Sequence, residues 1–95
     1  IRGNLTNDNT TVAVNLAQDK MEQLKAQKKL ANDDRCPGSG DRAITATGTP
    51  NGIFDRCWRI LDSPLGPHLK QIDVTVSWRD REDRTIVLSS LVYSE

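Results

Sequence analysis

The stretch LKQIDVTVSW, residues 69–78, decides the fold class of this chain. Apolar and polar residues alternate along it, so that Ile72, Val74, Val76 and Trp78 share one face. A period of two residues is typical of a β-strand with one buried side. We therefore predict a strand here, with these four apolar residues in the core.

Three further segments have strand character, at residues 42–47, 53–62 and 85–93. The second alternates in the same way and contributes Trp58 and Ile60 to the predicted core. The segments between the runs are short and contain Gly, Pro, Asn or charged residues. Short connections join antiparallel neighbours, so we predict an antiparallel sheet.

A long segment with helical character precedes these strands. Residues 12–31 contain no Gly or Pro and are rich in Ala, Leu, Gln, Lys and Met, which are strong helix formers. Apolar residues recur every three to five positions and form one stripe, which predicts a helix over about 10–31. The stripe residues expected to face the sheet are Val12, Leu16, Met21 and Leu24.

This order of elements predicts an α+β fold in which one N-terminal amphipathic helix packs on a small antiparallel β-sheet. A chain of 95 residues corresponds to a single domain, residues 1–95. The predicted divisions are the helix, a loop and disulfide region at 32–57, and strands within about 42–93.

The only cysteines, Cys36 and Cys57, indicate either a disulfide or a pair of thiols. With His68 as the only histidine, an ordinary four-ligand zinc site would need carboxylate help. A disulfide would close a loop of about 20 residues and contribute roughly 3 kcal/mol in the chain-entropy model. We expect the disulfide, which implies an oxidising compartment such as the periplasm, cell surface or medium.

Composition narrows the classes of partner. Thirteen Lys and Arg balance thirteen Asp and Glu, and a neutral chain argues against a dedicated polyanion or nucleic-acid binder. No apolar run reaches the ~18 residues of a membrane-spanning helix. The chain opens at Ile1 without an initiator Met, and we expect an upstream piece that the sequence does not include.

The sequence contains no motif typical of a catalytic, cofactor or metal site. His68 is bracketed by turn residues, and no phosphate-binding loop or paired-histidine motif is present, so we predict no enzyme, no cofactor and no small-molecule substrate. Acidic residues gather in 32–41 and 80–83, but neither segment follows the twelve-residue calcium loop. Interleaved arginines can neutralise these acids, and we predict no metal site.

The segments NLAQDKMEQLKA (15–26) and RCWRI (56–60) resemble segments of type IV pilin-like proteins. NLAQDKMEQLKA (15–26) is similar to the helix of minor pilins and pseudopilins. RCWRI (56–60), followed by the strand at 69–78, resembles their usual strand pair. The likeness is closest to minor pilins of the PilV-like kind and to the small pseudopilins of type II secretion.

This resemblance implies a structural subunit of a bacterial type IV pilus or type II secretion filament, acting in assembly, priming or surface presentation. Its partners would be other pilin or pseudopilin subunits. The family's cleavage site and apolar first half of the helix are not in this sequence, and that missing half would anchor the protein in the inner membrane before assembly. Candidate subunit contacts are the polar helix positions Asp19, Lys20, Gln23 and Lys28. The alternative is an extracellular adhesive or receptor-like binding module unrelated to pili.

Overall fold

The computed structural model describes residues 9–94, which form one helix and one five-stranded sheet. The prediction that a further piece of chain precedes Ile1 concerns a part of the protein outside the described residues. The elements in chain order are α1 (Asn9–Lys25), β1 (Asp33–Asp34), β2 (Asp41–Ile44), β3 (Phe54–Asp62), β4 (Leu69–Arg79) and β5 (Asp83–Tyr93). The coarse prediction of an α+β fold, with one helix packed on an antiparallel sheet, is confirmed.

Helix α1 ends at Lys25, about two turns before the predicted end near residue 31. The last turn closes with a tighter bond, in which the Gln27 N–H donates to the Leu24 carbonyl at 3.2 Å. Positions 27 and 28, where the stripe would continue after Leu24, are polar, whereas Leu30 would lie off that stripe. By leaving the helix, the chain buries Leu30 in the core, and its N–H donates to the Ser94 hydroxyl at 3.1 Å. The free energy gained by burying Leu30 outweighs the helix propensity of the residues after Lys25.

The sheet is an antiparallel meander of three long strands, β3, β4 and β5. The outer edge of β3 is covered by two short strands placed end to end. β1 pairs with Arg59 and Ile60, and β2 pairs with the beginning of β3. β1 lies in the predicted loop and was missed, because two consecutive aspartates carry no strand signal.

Strand β2 is shorter than the predicted run at 42–47. After Ile44 the chain turns back through a tight loop, in which the Thr45 N–H donates to the Thr49 carbonyl at 2.7 Å. Gly48 adopts a positive φ of 86° within this turn. A strand would have to end where that conformation begins.

The core lies between one face of α1 and the inner face of the sheet, with α1 placed mainly over β4 and β5. Most predicted core positions are buried, namely Leu16, Met21, Leu24, Ile60, Ile72, Val74, Val76 and Trp78. Val12 and Trp58 are only half-buried and pack at the margin of the core, which corrects the prediction for both. Trp58 lies on β3, away from the two strands that α1 mainly covers, and Val12 lies near the beginning of α1.

Candidate interaction surface

Two grooves lie along α1 on the side of β3. The first, which we call the acidic groove, has a volume of about 510 Å³. It is lined by Leu16, Asp19, Glu22, Gln23, Thr47, Gly48 and Arg56. The predicted contact residues Asp19 and Gln23 are therefore brought together, both exposed, on this flank. Their role in subunit contact stays a prediction.

The other two predicted contact residues lie elsewhere. Lys20 is half-buried, and its Nζ lies 4.1 Å from the centroid of the Trp58 ring. Lys28 is exposed, but it lies beyond the end of α1 and so does not belong to the helix surface. The four predicted contact residues therefore lie in three different places on the structure.

The second groove, the Trp58 groove, has a volume of about 320 Å³ between the end of α1 and β1. Its apolar side is formed by Trp58, Ile60 and Leu24, and its rim carries Lys20, Lys29 and Arg35 among other residues. The guanidinium carbon of Arg35 lies 5.9 Å from the Trp58 ring centroid, so that two cations face one indole.

Burial lowers the pKa of Lys20. The nearby charges of Arg56 and Arg35 act in the same direction, and Asp41 opposes them. Desolvation disfavours an ammonium ion, whereas the electron-rich face of Trp58 favours it. Lys20 is thus a cation held against an aromatic ring, partly out of water.

Arg56 is the main polar residue that sequence reasoning missed. It is 8% exposed on the inner face of β3. Its Nε and Nη2 donate to Oδ2 of Asp41 at 2.9 and 2.8 Å, and its Nη1 donates to the Leu16 carbonyl at 3.0 Å. One guanidinium therefore joins β3, β2 and α1. The signal was present in the sequence, because the alternation that places Phe54 and Ile60 inside places Arg56 on the same face.

The predicted disulfide between Cys36 and Cys57 is confirmed, with Cα atoms 5.1 Å apart. It ties the loop after β1 to the middle of β3, so neither sulfur is available to bind zinc. Next to it the Arg35 N–H donates to the Trp58 carbonyl at 2.8 Å, and Asp34 pairs with Arg59 at 3.2 Å. The bridge and these bonds hold the covering segment on the edge of β3. The disulfide is compatible with an oxidising extracellular or periplasmic environment.

The acidic segments considered for calcium form ion pairs with arginines. Within the first, Asp33 pairs with Arg35 and Asp41 with Arg56. Within residues 9–94 no group of three or more His, Cys, Asp or Glu side chains is arranged to hold a metal ion.

The second acidic segment forms the turn between β4 and β5. The N–H groups of Arg81 and Glu82, the Trp78 indole and the nearby Arg84 lower the pKa of Asp80 to about 2. Each donor stabilises the ionised carboxylate. Asp80 therefore organises this turn as an acceptor.

A third groove, of about 340 Å³, lies where the chain end meets the segment after α1. Ser94 is buried there, and its N–H donates to the His68 carbonyl at 2.7 Å. Lys70 Nζ donates to Asp62 and to Asn32, both at 2.6 Å. The Ser94 bond ties the end of β5 to the turn between β3 and β4, and the Asn32 bond ties β4 to the segment after α1. His68 itself is exposed in its turn.

No protein-family model, curated protein or solved structure matches this chain. Among the described residues, no helix has the length and apolar character needed to cross a membrane. The function is therefore argued from the residues and their arrangement.

Proposed function

We propose that this chain is a structural subunit of a bacterial filament, a minor pilin or pseudopilin of a type IV pilus or type II secretion filament. It acts there in assembly, priming or surface presentation. Its partners are other subunits of the filament, and an upstream apolar half of the helix anchors it in the inner membrane before assembly. The protein then resides in the periplasm or on the cell surface.

The observation that carries this proposal is the way α1 is used. One stripe of the helix is buried against the sheet, namely Ala13, Leu16, Ala17, Met21 and Leu24. The flank with Asp19 and Gln23 is exposed. A helix that precedes a meander sheet and keeps an exposed polar flank can pack on neighbouring helices while the sheet faces outward. The disulfide supports an assignment outside the cytoplasm.

The test is incorporation of the full-length protein into isolated filaments. Cells producing an epitope-tagged copy are sheared, and the filament fraction is probed for the tag. We expect the tagged chain in that fraction, and Asp19→Lys to reduce its share without changing the yield of folded protein. The matched control is Arg81→Glu, a charge reversal at an exposed position in the turn between β4 and β5.

Deletion of the gene, with piliation, secretion and DNA uptake measured in parallel, then identifies the filament system. If the protein is released freely into the medium and the deletion leaves all three measurements unchanged, the filament assignment is wrong. An adhesive or receptor-like binding module would then account better for the fold.

A further inference from the structure

The two edges of the sheet differ in whether short strands cover them. The edge at β3 is covered by β1 and β2, whereas the outer side of β5 pairs with no strand within residues 9–94. Natural edge strands are usually protected by lysine, proline or a bulge. β5 carries no charged residue, proline or glycine from Thr85 to Tyr93, and its ladder with β4 runs through eleven pairs without a register shift. The free edge of β5, where its backbone pairs with no strand, is therefore a long, regular and uncharged template for another strand.

β5 is also apolar on both faces. On the outer face Val87, Leu91 and Tyr93 are 58%, 47% and 68% exposed. On the inner face Ile86, Leu88 and Val92 are only half-buried against the core. A strand added at this edge would cover apolar surface on both sides of the sheet.

We propose that β5 pairs antiparallel with β5 of a second copy of this chain, in a two-fold dimer centred on Ser89. In this register Ile86 of one copy lies opposite Val92 of the other on the inner face. Val87 lies opposite Leu91 on the outer face. By symmetry each pair occurs twice, so the apolar residues of one strand meet those of its mate, and such cross-strand pairs stabilise a sheet. The inference is independent of the filament assignment.

Neighbouring registers that keep the same faces together fit less well. A shift of two residues in one direction places Arg84 opposite Val92, which sets a charge against an apolar side chain. The opposite shift places Ile86 opposite Ser94, beyond the end of the strand, and shortens the ladder. The register centred on Ser89 gives the longest ladder that leaves Asp83 and Arg84 outside it.

The position of α1 allows this dimer. A two-fold axis that relates antiparallel edge strands is perpendicular to the sheet, so both helices lie on the same face. Strands are about 4.8 Å apart, and a helix centred between β4 and β5 is therefore about 4.8 Å from the axis. The two helices would lie about 10 Å apart, close to the usual packing distance. Their facing flanks carry Val14 and Gln18, opposite the flank with Asp19 and Gln23, and Lys25 follows two turns after Gln18 on the same flank, in the last turn of α1.

The register is tested by cross-linking. The described residues contain no free cysteine, so Ser89→Cys introduces a single reactive thiol. In the proposed dimer this thiol meets its own copy at the axis, and mild oxidation should produce a covalent dimer. Thr85→Cys is the matched control, because it lies on the same face of the same strand but about 27 Å from its copy. Equal cross-linking of the two variants, or none of either, would overturn the proposal.

The interface is tested by light scattering and sedimentation of the purified protein. We expect a mass of twice the 10.6 kDa monomer, and Val87→Lys should raise the dissociation constant at least about tenfold, because both symmetric pairs are lost. Leu65→Lys, at a residue 73% exposed in the turn between β3 and β4, should leave it unchanged. Circular dichroism confirms that each variant is folded. A monomer at every concentration, or equal weakening by both substitutions, contradicts the proposed edge pairing.

Discussion

Replacing Arg56 by alanine is expected to destabilise this protein more than any other exchange of an arginine on its sheet. Arg56 is 8% exposed, and its guanidinium donates to the Asp41 carboxylate and to the Leu16 carbonyl. Alanine removes the charge, three hydrogen bonds and the aliphatic stem at once. Asp41 then loses its only ion pair within residues 9–94.

The magnitude follows from the exposure of the two partners. Breaking a fully buried ion pair costs about 3–5 kcal/mol, because one charge is left without a partner. The Asp41 side chain is 34% exposed and regains water, which reduces this cost, while the lost stem adds to it. We expect the free energy of unfolding to fall by about 2–3 kcal/mol, and the melting temperature by roughly 10–20 °C.

The assay is urea unfolding of the oxidised protein, followed by circular dichroism. Arg59→Ala is the matched control, because Arg59 lies on the opposite face of β3 and pairs with Asp34 at 3.2 Å with both side chains 46% exposed. An exposed pair of this kind is worth less than about 1 kcal/mol. Arg56→Met keeps most of the stem and separates packing from charge. The reasoning is refuted if Arg56→Met is neutral, or if Arg56→Ala costs no more than Arg59→Ala.

Three other predictions concern the bridge, the β4–β5 turn and the Trp58 groove. Replacing Cys36 and Cys57 together by serine should cost about 3 kcal/mol in urea unfolding, and a loss below about 1 kcal/mol would show that the bridge constrains little. Because the pKa of Asp80 is held at about 2, below its ordinary 3.8, its contribution to stability is complete above about pH 4 and is lost as the pH falls towards 2. The stability difference between wild type and Asp80→Asn should therefore shrink over that interval, and a carboxyl NMR titration with a midpoint near 4 would contradict this. Lys20 should titrate below an ordinary lysine by NMR, and Lys20→Met should change the fluorescence of Trp58; an ordinary pKa and an unchanged spectrum would show that the ammonium does not rest on the ring.

The elements with strong local signals could be predicted from the sequence. Strand β4 shows its period of two because one face is buried beneath α1 and the other is not. The end of α1 could not be predicted in the same way, because residues 26–31 have the same helix propensity as those before them. What ends the helix is the burial of Leu30 and its bond to Ser94, a residue 64 positions away. Such a tertiary contact leaves no trace in local composition.

The candidate site was predictable to a smaller extent. Asp19 and Gln23 are exposed as expected, because helical periodicity fixes which flank is polar. The position of Lys20 depends on Trp58, and that residue is accessible only because α1 lies over β4 and β5 rather than over β3. Arg56 was passed over because its residue type is normally exposed, although its place in the alternation is an inward one. At such positions the alternation of the strand is a better guide to burial than residue type.

The disulfide helps to keep one edge of the sheet covered, whereas the edge at β5 is open. A sheet with two open edges can add copies without limit, which leads to fibres. Here Cys36–Cys57 holds the covering segment on β3, so that edge consists of the two-residue β1 and the four-residue β2, which are too short to be a long template for another strand. Association through strands is thereby confined to β5, and a single self-complementary edge related by a two-fold axis closes after two copies. The bridge thus does more than stabilise the monomer, because it determines that pairing at β5 ends in a dimer rather than in a continuous sheet.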